Sequence, residues 1–166
     1  MIRVKLSADK KQYTKLSVFD FDGTLFKSPD KPNGFKGNWH ISKESLQEPY
    51  VPEKPDGTFW NEAAVESAKN ELNNPETLTI MMTGRVENVF KDRIEQLLSQ
   101  QSIHFPITKF GKFGNDTSKF KLSFINRLLK KHPTINKVEM WDDDKEKIQL
   151  YKESLQDKIE IKINKI

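Results

Sequence analysis

Two aspartates, Asp20 and Asp22, stand two residues apart directly after a short apolar run, Leu16 to Phe19, and a Gly-Thr pair follows them. Residues i and i+2 of a strand share a face, so a strand ending here would bring both carboxylates into one small space. Neighbouring carboxylates repel each other unless a cation or a proton lies between them. The arrangement therefore fits a magnesium ion and a phosphate, with one acid as nucleophile and the other as proton donor and acceptor.

Two other interpretations of this acidic run need no phosphate chemistry. A calcium loop of the EF-hand type requires a closing glutamate at its twelfth position. Counted from Asp20 that position is Lys31, so the calcium loop is excluded. An ordinary acidic turn remains an alternative on these residues alone.

The composition is that of a globular protein with a highly charged surface. The chain has 166 residues, a usual length for one domain with one core, and 35% of them are hydrophobic while 31% are charged. It has no cysteine, which excludes disulfides and thiolate zinc sites. The first residues lack the apolar segment of a signal peptide, and no apolar run approaches the length of a membrane span. We therefore expect a single domain over 1–166 in a cytoplasmic monomer without a membrane partner.

The formal net charge is +4. A basic balance favours polyanionic partners, including nucleic acid. Lysine-rich surfaces also simply keep small proteins in solution, so both interpretations stay open.

Strand and helix patterns alternate along the second half of the chain. Hydrophobic spacing predicts strands at 16–20, 77–82, 105–110 and 135–141, and a last edge strand in which Ile159, Ile161 and Ile163 alternate with polar residues. Helical spacing is found from Asn61 to Leu72, over 86–100, around 122–129 and over 145–156. This alternation predicts an α/β fold with a mostly parallel sheet flanked by helices.

Residues 27–60 interrupt the pattern with five prolines and several glycines, which predicts an insert with little regular structure. Its aromatic residues include Trp39, Tyr50 and Trp60. Such residues usually pack an insert onto the core, and in some proteins they touch a ligand.

Polar residues follow three of the predicted strands. They are the run Asp20 to Thr24, the triplet Thr83-Gly84-Arg85 and the triplet Asp142-Asp143-Asp144, and a lysine at a helix start, Lys119 or Lys121, precedes the last. Each set has an ordinary explanation, such as a turn, a solvated lysine or acids at a helix N-terminus. Because parallel strands place their carboxyl ends at one edge of the sheet, however, all four sets should meet there, where α/β proteins bind ligands.

These motifs resemble those of the haloacid dehalogenase (HAD) superfamily of phosphohydrolases, from about Leu16 to the end of the chain. Asp20 to Thr24 matches the first motif, Asp-x-Asp-x-Thr, in full, and Thr83 matches the second. The third motif is a lysine or arginine before a later helix, and the acidic pair of the fourth lies within 142–144. The resemblance implies a Rossmann-like HAD core with a small Pro-rich insert after the first strand.

A narrower resemblance is to the HAD branch of Swiss Army Knife RNA repair-like proteins. The residues that carry it are Ser28-Pro29, Pro32-Asn33, Trp39, Trp60-Asn61, Thr83-Gly84-Arg85 and Thr117-x-x-Phe120-Lys121. In that branch the lysine of the Thr-x-x-Phe-Lys run is the third-motif residue, which favours Lys121 over Lys119. The branch usually has Glu-Asp followed by Arg at the fourth motif, whereas this chain has three aspartates, so the metal ligand within 142–144 stays open.

The resemblance implies a mechanism with an aspartyl-phosphate intermediate. Asp20 attacks the phosphoryl group, and Asp22 protonates the leaving oxygen and then activates water. Thr83 and Lys121 hold the phosphoryl oxygens. Mg²⁺ is the implied cofactor.

The metal-site residues are expected to be Asp20, Asp22 through its main-chain carbonyl, and one acid of the fourth motif, Asp142 or Asp143. Thr24 is expected to support the first loop, with Gly84 beside the phosphate. Arg85 either holds substrate or pairs with an acid.

The substrate is expected to be a phosphorylated molecule, with an RNA or DNA end carrying a 3′-phosphate favoured. The insert follows the first motif directly, and Trp39, Tyr50 and Trp60 could stack on bases while Lys27, Lys31, Lys36 and Lys43 contact a backbone. A small-molecule phosphatase is the closest alternative. A phospho-acceptor or binding module, or a scaffold without activity, is a further one, although receiver domains lack the second Asp and the Thr of the first motif and no HAD motif is missing here.

Overall fold

The computed structural model describes residues 12–112, 114, 116–155 and 160–165. Five strands, β1 (Lys15–Phe19), β2 (Thr77–Val86), β3 (Ile107–Gly111), β4 (Lys137–Asp142) and β5 (Glu160–Lys165), alternate with four helices, α1 (Glu62–Leu72), α2 (Glu87–Gln100), α3 (Thr117–Lys131) and α4 (Lys145–Leu155). No helix within these described residues is both long enough and apolar enough to cross a membrane.

The five strands form one parallel sheet in the order β3-β2-β1-β4-β5. The chain builds outward from the central strand β1 to β3 and then returns past β1 to add β4 and β5. At the end of β1, Phe19 pairs with Met81 of β2 and Trp141 of β4. A sheet of this kind binds ligands where its strand order reverses, outside the carboxyl ends of the strands. Here that point lies at the end of β1, directly before Asp20.

Each face of the sheet is covered by a separate hydrophobic core. Alternate strand residues point to opposite faces, so Phe19, Met81 and Trp141 pack with α1, α2 and part of the insert, whereas Val18, Ile80 and Met140 pack with α3 and α4. Phe19 and Trp141 stack with their ring centroids 4.1 Å apart. Burial on both faces explains why these strands read as continuous apolar runs.

The insert contains three short 3₁₀ helices, Trp39–Ile41, Lys43–Leu46 and Gly57–Phe59, separated by irregular chain. Its two ends are joined to each other, since Lys27 N–H donates to Phe59 O at 2.7 Å and Asn61 N–H donates to Leu25 O at 3.0 Å. Arg93 of α2 donates to the main-chain carbonyls of Leu46, Pro52 and Glu53. The predicted insert with little regular structure is thus a compact segment fastened to α2.

The order and type of the elements agree with the sequence prediction, and β5 lies at an edge of the sheet as expected. The largest difference is β2, which continues through Thr83, Gly84 and Arg85 to Val86, with an irregularity in its pairing with β3 between Thr83 and Val86. The predicted helix over 86–100 begins at Glu87 instead, because Val86 is still extended. The predicted ends at Gln156 and Ile159, like residues 1–11, lie outside the described part of the chain.

Candidate active site

Asp20 lies just beyond the last residue of β1 and is still held by the sheet. Its N–H donates to Trp141 O at 3.1 Å, and its side chain accepts from Phe21 N–H at 2.9 Å. The chain then turns through Gly23, whose φ of +71° lies in the left-handed region that favours glycine. A Cβ at position 23 would collide with the carboxylate of Asp143. This glycine therefore lets the loop after β1 and the loop after β4 approach each other closely.

Three carboxylates meet at this point. Asp20, Asp142 and Asp143 each offer an oxygen, and these oxygens lie within 4.8 Å of one another. Asp142 ends β4 and is buried, whereas Asp143 is more exposed. Oxygen ligands at such spacing are what a hard divalent cation prefers, so these three residues could hold a metal ion.

The surroundings of these acids favour their neutral forms when no cation is bound. Burial raises the pKa of Asp20 to about 6, the charges of Asp142 and Asp22 add to the rise, and Lys121 opposes it. Burial also raises the pKa of Asp142, against the opposing charge of Lys121. Burial and the charge of Asp20 together raise the pKa of Asp143. A cation would relieve the repulsion that these carboxylates exert on one another.

Lys121 is the lysine that reaches the acids. Its side chain is buried, and Nζ lies 3.2 Å from Asp20 Oδ1 and 3.8 Å from Asp142 Oδ2. Lys119, the other candidate, is exposed. It serves the start of α3 through its N–H, which donates to the N-cap Asp116 at 3.0 Å. The structure thus brings Lys121, and not Lys119, to Asp20.

Asp22 does not join the three clustered acids. Its carboxylate is bound by Arg85, whose Nε lies 2.8 Å from Oδ2 and whose Nη2 lies 2.7 Å from Oδ1, and it also accepts from the Ser28 hydroxyl. Arg85 is buried, and its Nη1 donates to Ser45 Oγ of the insert at 2.7 Å. The Asp22 carboxylate therefore lies outside the cluster of Asp20, Asp142 and Asp143, and the predicted role of the Asp22 main-chain carbonyl as a metal ligand stays a prediction. Of the two roles considered for Arg85, the structure shows the pairing with an acid.

Thr83 and Thr24 are both buried away from the cleft surface. The Thr83 hydroxyl accepts from Arg85 N–H at 3.2 Å, which stabilises the irregular end of β2. Thr24 is fully buried within the turn after β1, and its hydroxyl has no partner among the residues described here. Gly84, between Thr83 and Arg85, does reach the cleft. The roles predicted for the two threonines stay predictions.

A cleft of about 590 Å³ opens above these residues at the carboxyl edge of the sheet. Asp20, Asp22, Lys121 and Asp143 lie in its walls, as the motifs predict. Residues that the sequence reasoning missed complete it: His40, Ile41, Thr117 and Lys147. The Thr-x-x-Phe-Lys motif was a signal for Thr117, whereas no signal in the sequence distinguished His40 or Ile41 from the rest of the insert.

The two tryptophans predicted to stack on bases are buried. Trp39 is 4% exposed, its indole N–H donates to Pro29 O at 2.8 Å, and its ring packs edge-on against Phe35 and Tyr50. Trp60 is 3% exposed and packs edge-on against Phe26. The prediction that these rings face a substrate is wrong, because Trp39 packs within the insert and Trp60 packs in the hydrophobic core. Trp39 instead anchors the short helix whose next two residues, His40 and Ile41, line the cleft.

Asp144 does not belong to the cluster of Asp20, Asp142 and Asp143, because its carboxylate caps the start of α4. Its Oδ1 accepts from Glu146 N–H at 3.0 Å and from Lys147 N–H at 3.3 Å, as an acid at a helix N-terminus does. Of the three consecutive aspartates, the structure therefore assigns the first two to the cluster with Asp20 and the third to the start of the helix.

Comparison with solved structures gives the same fold. One chain in a structure of the Pnkp1/Rnl/Hen1 RNA repair complex superposes with a TM-score of 0.63 and 15% identity, over 93% of this chain and 42% of that chain. A chain in a second structure of the Pnkp1/Rnl/Hen1 complex gives a TM-score of 0.59 and 16% identity, over 100% of this chain and 51% of that chain. At these identities the likeness shows a shared fold.

A curated relative is an uncharacterized protein of Saccharomyces cerevisiae, 25% identical over 167 aligned residues. The alignment covers 84% of this chain and 36% of the yeast protein, so this chain spans about a third of its relative's length. The family model for HAD domain family 1 in Swiss Army Knife RNA repair proteins matches residues 21–164. Together with the four motifs at one edge of the sheet, this match shows that the chain belongs to that family of HAD domains.

Proposed function

We propose that this protein is a magnesium-dependent phosphomonoesterase that works through an aspartyl-phosphate and removes 3′-phosphates from nucleic-acid ends during repair. The observation that carries the reaction type is the contact of Asp20 with Lys121 beside Asp142 and Asp143, at the floor of the cleft. A nucleophilic carboxylate, a buried ammonium and two further acids in one open site suit phosphoryl transfer.

In the proposed reaction an oxygen of the Asp20 carboxylate attacks phosphorus, and the bond from phosphorus to the substrate oxygen breaks. Asp22 gives that oxygen a proton, so the product leaves as an alcohol. Asp22 then takes a proton from water, which attacks the aspartyl-phosphate and releases inorganic phosphate and free Asp20. Lys121 stabilises the negative charge on the phosphoryl oxygens. Arg85 and Ser28 fix the direction of the Asp22 carboxylate.

The clustered acids fit a magnesium ion. Three carboxylates with oxygens within 4.8 Å face one ammonium, and burial and mutual repulsion raise their pKa values, so a hard cation is the expected counter-charge. Asp20, Asp142 and Asp143 would hold it. Bound there, it would screen the charge between an anionic nucleophile and an anionic phosphoryl group.

The substrate proposal depends on the family and on the insert. The family is one of HAD domains in RNA repair proteins, and the two similar solved structures are of the Pnkp1/Rnl/Hen1 complex. His40 and Ile41 project from the insert into the cleft, where an imidazole and an apolar side chain can contact the terminal nucleotide. Lys27, Lys31, Lys36 and Lys43 are exposed on the same insert and can meet backbone phosphates.

A small-molecule phosphatase is the second candidate, because Trp39 and Trp60, two of the three rings predicted to stack on bases, are buried. In that case His40 and Ile41 would close the cleft around a small organic phosphate, and chain length would not matter to turnover.

The test is a substrate panel assayed with magnesium: 3′-phosphorylated RNA, 3′-phosphorylated DNA, a 5′-phosphorylated oligonucleotide and free nucleotides. We expect phosphate release to be fastest from a 3′-phosphorylated oligonucleotide and to be lost in Asp20→Asn and in EDTA. Equal or faster turnover of free nucleotides would replace this proposal with the second candidate. Release that persists in Asp20→Asn would contradict both.

The contribution of the insert is tested with His40→Ala and Ile41→Ser. Both should lower turnover of a 3′-phosphorylated oligonucleotide more than turnover of a small aryl phosphate, since only the former reaches these side chains. Asn33→Ala, an exposed change on the same insert, is the control. Equal losses on the two substrates would contradict a role of His40 and Ile41 in specificity.

A further inference from the structure

A second concave surface lies between the edge strand β3 and α3. It has a volume of about 170 Å³, and we call it the β3–α3 groove. Its side chains are basic, aromatic or small, with no acid among those described: Lys109, Phe110, Lys112, Phe120, Ser123, Phe124 and Arg127. A groove with three cations and no carboxylate favours a polyanionic occupant.

The groove uses a different face of α3 from the active site. Phe120, Phe124 and Arg127 are spaced by four and three residues, which places them on one face of the helix. Lys121 follows Phe120 by one residue, about 100° further round the helix, and points into the active site. One helix therefore carries the active-site lysine on one face and the wall of a basic groove on another.

Cations and aromatic rings line this groove together. Lys109 Nζ lies 5.1 Å from the centroid of the Phe124 ring, a cation–π contact. Phe120 and Phe124 are half-buried, so part of each ring remains accessible, and Lys112 and Arg127 are exposed. Grooves that bind single-stranded nucleic acid combine these two features, with bases on the rings and phosphates on the cations.

The groove begins next to the active-site cleft. Lys112 follows the end of β3, and the preceding Gly111 is packed so closely on the Gly84 carbonyl that a Cβ there would overlap it. Gly84 and Thr117 both line the cleft. From Phe120 to Arg127 the helix rises about 10 Å. At a rise of about 3.4 Å per nucleotide along a stacked strand, that length accommodates about three nucleotides.

We propose that the β3–α3 groove binds the single strand that leads to the 3′-end in the active site, with the nucleotides on the 5′ side of that end lying along Lys112, Phe120, Phe124 and Arg127. This inference rests on the proposed function for the identity of the end, while the groove itself is tested by binding alone.

The binding test uses a fluorescent single-stranded RNA octamer with a 3′-hydroxyl, which carries no phosphate for the enzyme to remove. Lys112→Glu and Arg127→Glu change exposed side chains, and each should weaken binding about threefold to tenfold by fluorescence anisotropy. Each should also reduce the slope of log Kd against log salt by about 0.7. Lys91→Glu, an exposed charge reversal on α2, is the matched control and should change neither value.

Circular dichroism and melting temperatures establish whether the variants are folded. If a charge-reversal variant is not folded, Lys112→Gln or Arg127→Gln is used in its place. Weaker binding in the groove variants alone supports the groove, even if no 3′-phosphatase activity is found. Equal affinities and equal salt slopes for the groove variants and Lys91→Glu would overturn it, even if 3′-phosphatase activity is found.

A length series connects the groove to catalysis. The groove variants should raise KM for a 3′-phosphorylated octamer more than KM for a 3′-phosphorylated dinucleotide, because only the octamer is long enough to lie along the groove. Equal increases on both substrates would contradict the proposed path of the strand.

Discussion

The protein has two clusters of acids and lysines that differ in the ratio of carboxylates to ammonium groups. The site cluster, Asp20, Asp142, Asp143 and Lys121, has three carboxylates for one ammonium. The second cluster, which we call the Lys15 cluster, consists of Lys15, Glu71, Glu139 and Lys162, with two of each. Lys15 Nζ lies 2.7 Å from Glu71 and 2.6 Å from Glu139, and Lys162 lies 3.4 Å from Glu139.

The pKa values of Glu139 in the Lys15 cluster and of Asp20 in the site cluster shift in opposite directions. Burial favours the neutral form of Glu139, but the hydrogen bonds from Lys15 and Asn164 and the charges of Lys15 and Lys162 together outweigh it and lower the pKa. For Lys15, burial is outweighed by Glu139 and Glu71, and the pKa rises. At Asp20 burial prevails over Lys121, and the pKa rises to about 6. The balanced charges of the Lys15 cluster therefore stabilise the fold. The site cluster has more carboxylates than ammonium groups and keeps an uncompensated negative charge.

The largest expected effect separates activity from stability at Asp20. Asp20→Asn should abolish phosphate release, by at least about 10³-fold, because an amide cannot attack phosphorus. It should raise rather than lower the melting temperature in EDTA, since it removes a buried charge that its neighbours do not balance. A lower melting temperature in EDTA would mean that Asp20 is held as a structural ion pair.

Replacing the ammonium of the site cluster comes next. Lys121→Met should reduce turnover by about 100-fold or more, because the charge that stabilises the phosphoryl oxygens is lost. Lys119→Met, at an exposed position two residues earlier, is the matched control and should retain activity. A larger loss in Lys119→Met would reverse the assignment of the phosphate-binding lysine.

The two clusters should give the metal-free protein opposite responses to pH. Asp20 has a pKa of about 6 in the folded protein against an ordinary value of 3.8, so it binds its proton more tightly when folded. Its charge therefore costs stability above pH 6, and that cost is removed as the pH falls from 6 toward 4. Glu139 has a lowered pKa, so the stability that it supplies is lost as the pH falls below about 4.

Melting temperatures measured in EDTA should accordingly be highest between about pH 4 and pH 6, and magnesium should raise them most near pH 7.5. Asp20→Asn is the control and should reduce the gain between pH 7 and pH 5. A steady fall in melting temperature from pH 7.5 to pH 5 would contradict the raised pKa of Asp20.

The smallest expected effect lies in the Lys15 cluster. Lys15→Met should lower the free energy of unfolding by about 1–2 kcal/mol, because Glu71 and Glu139 each lose a charged hydrogen bond. Turnover should stay within about twofold of the wild type. Lys162→Met removes a contact to the same Glu139 from a side chain that is 57% exposed, and it should cost much less. A loss of activity without a loss of stability in Lys15→Met would show that the clusters are coupled.

The features that the sequence revealed depend on short-range patterns. The apolar runs of β1, β2 and β4 and the polar residues after them are contiguous, and parallel pairing brings their ends together. The position of Lys121 followed from the Thr-x-x-Phe-Lys resemblance. Helical spacing alone could not have distinguished it from Lys119, since both lie within the first turns of α3.

The features that the sequence did not reveal depend on contacts between distant segments. Arg85 and Asp22 are in contact although they are 63 residues apart in the sequence. The irregular end of β2 that carries Arg85 has no recognisable sequence pattern. The sequence predicted Trp39 as a ligand-binding residue, but its ring packs against Phe35 and Tyr50. The cleft is lined instead by the next two residues, His40 and Ile41. Such outcomes depend on how the insert packs on α2, which local propensity does not determine.

The close approach at Gly23 also has a consequence for mutational tolerance. Any side chain at this position would meet two penalties at once, the left-handed φ of +71° and the overlap with Asp143. Relief of the overlap requires the Asp143 carboxylate to move away from position 23, so a substitution within the first motif would alter the geometry of the fourth. In a saturation library selected for activity, position 23 should therefore tolerate as few amino acids as Asp20 does, although glycine has no side chain with which to take part in the reaction.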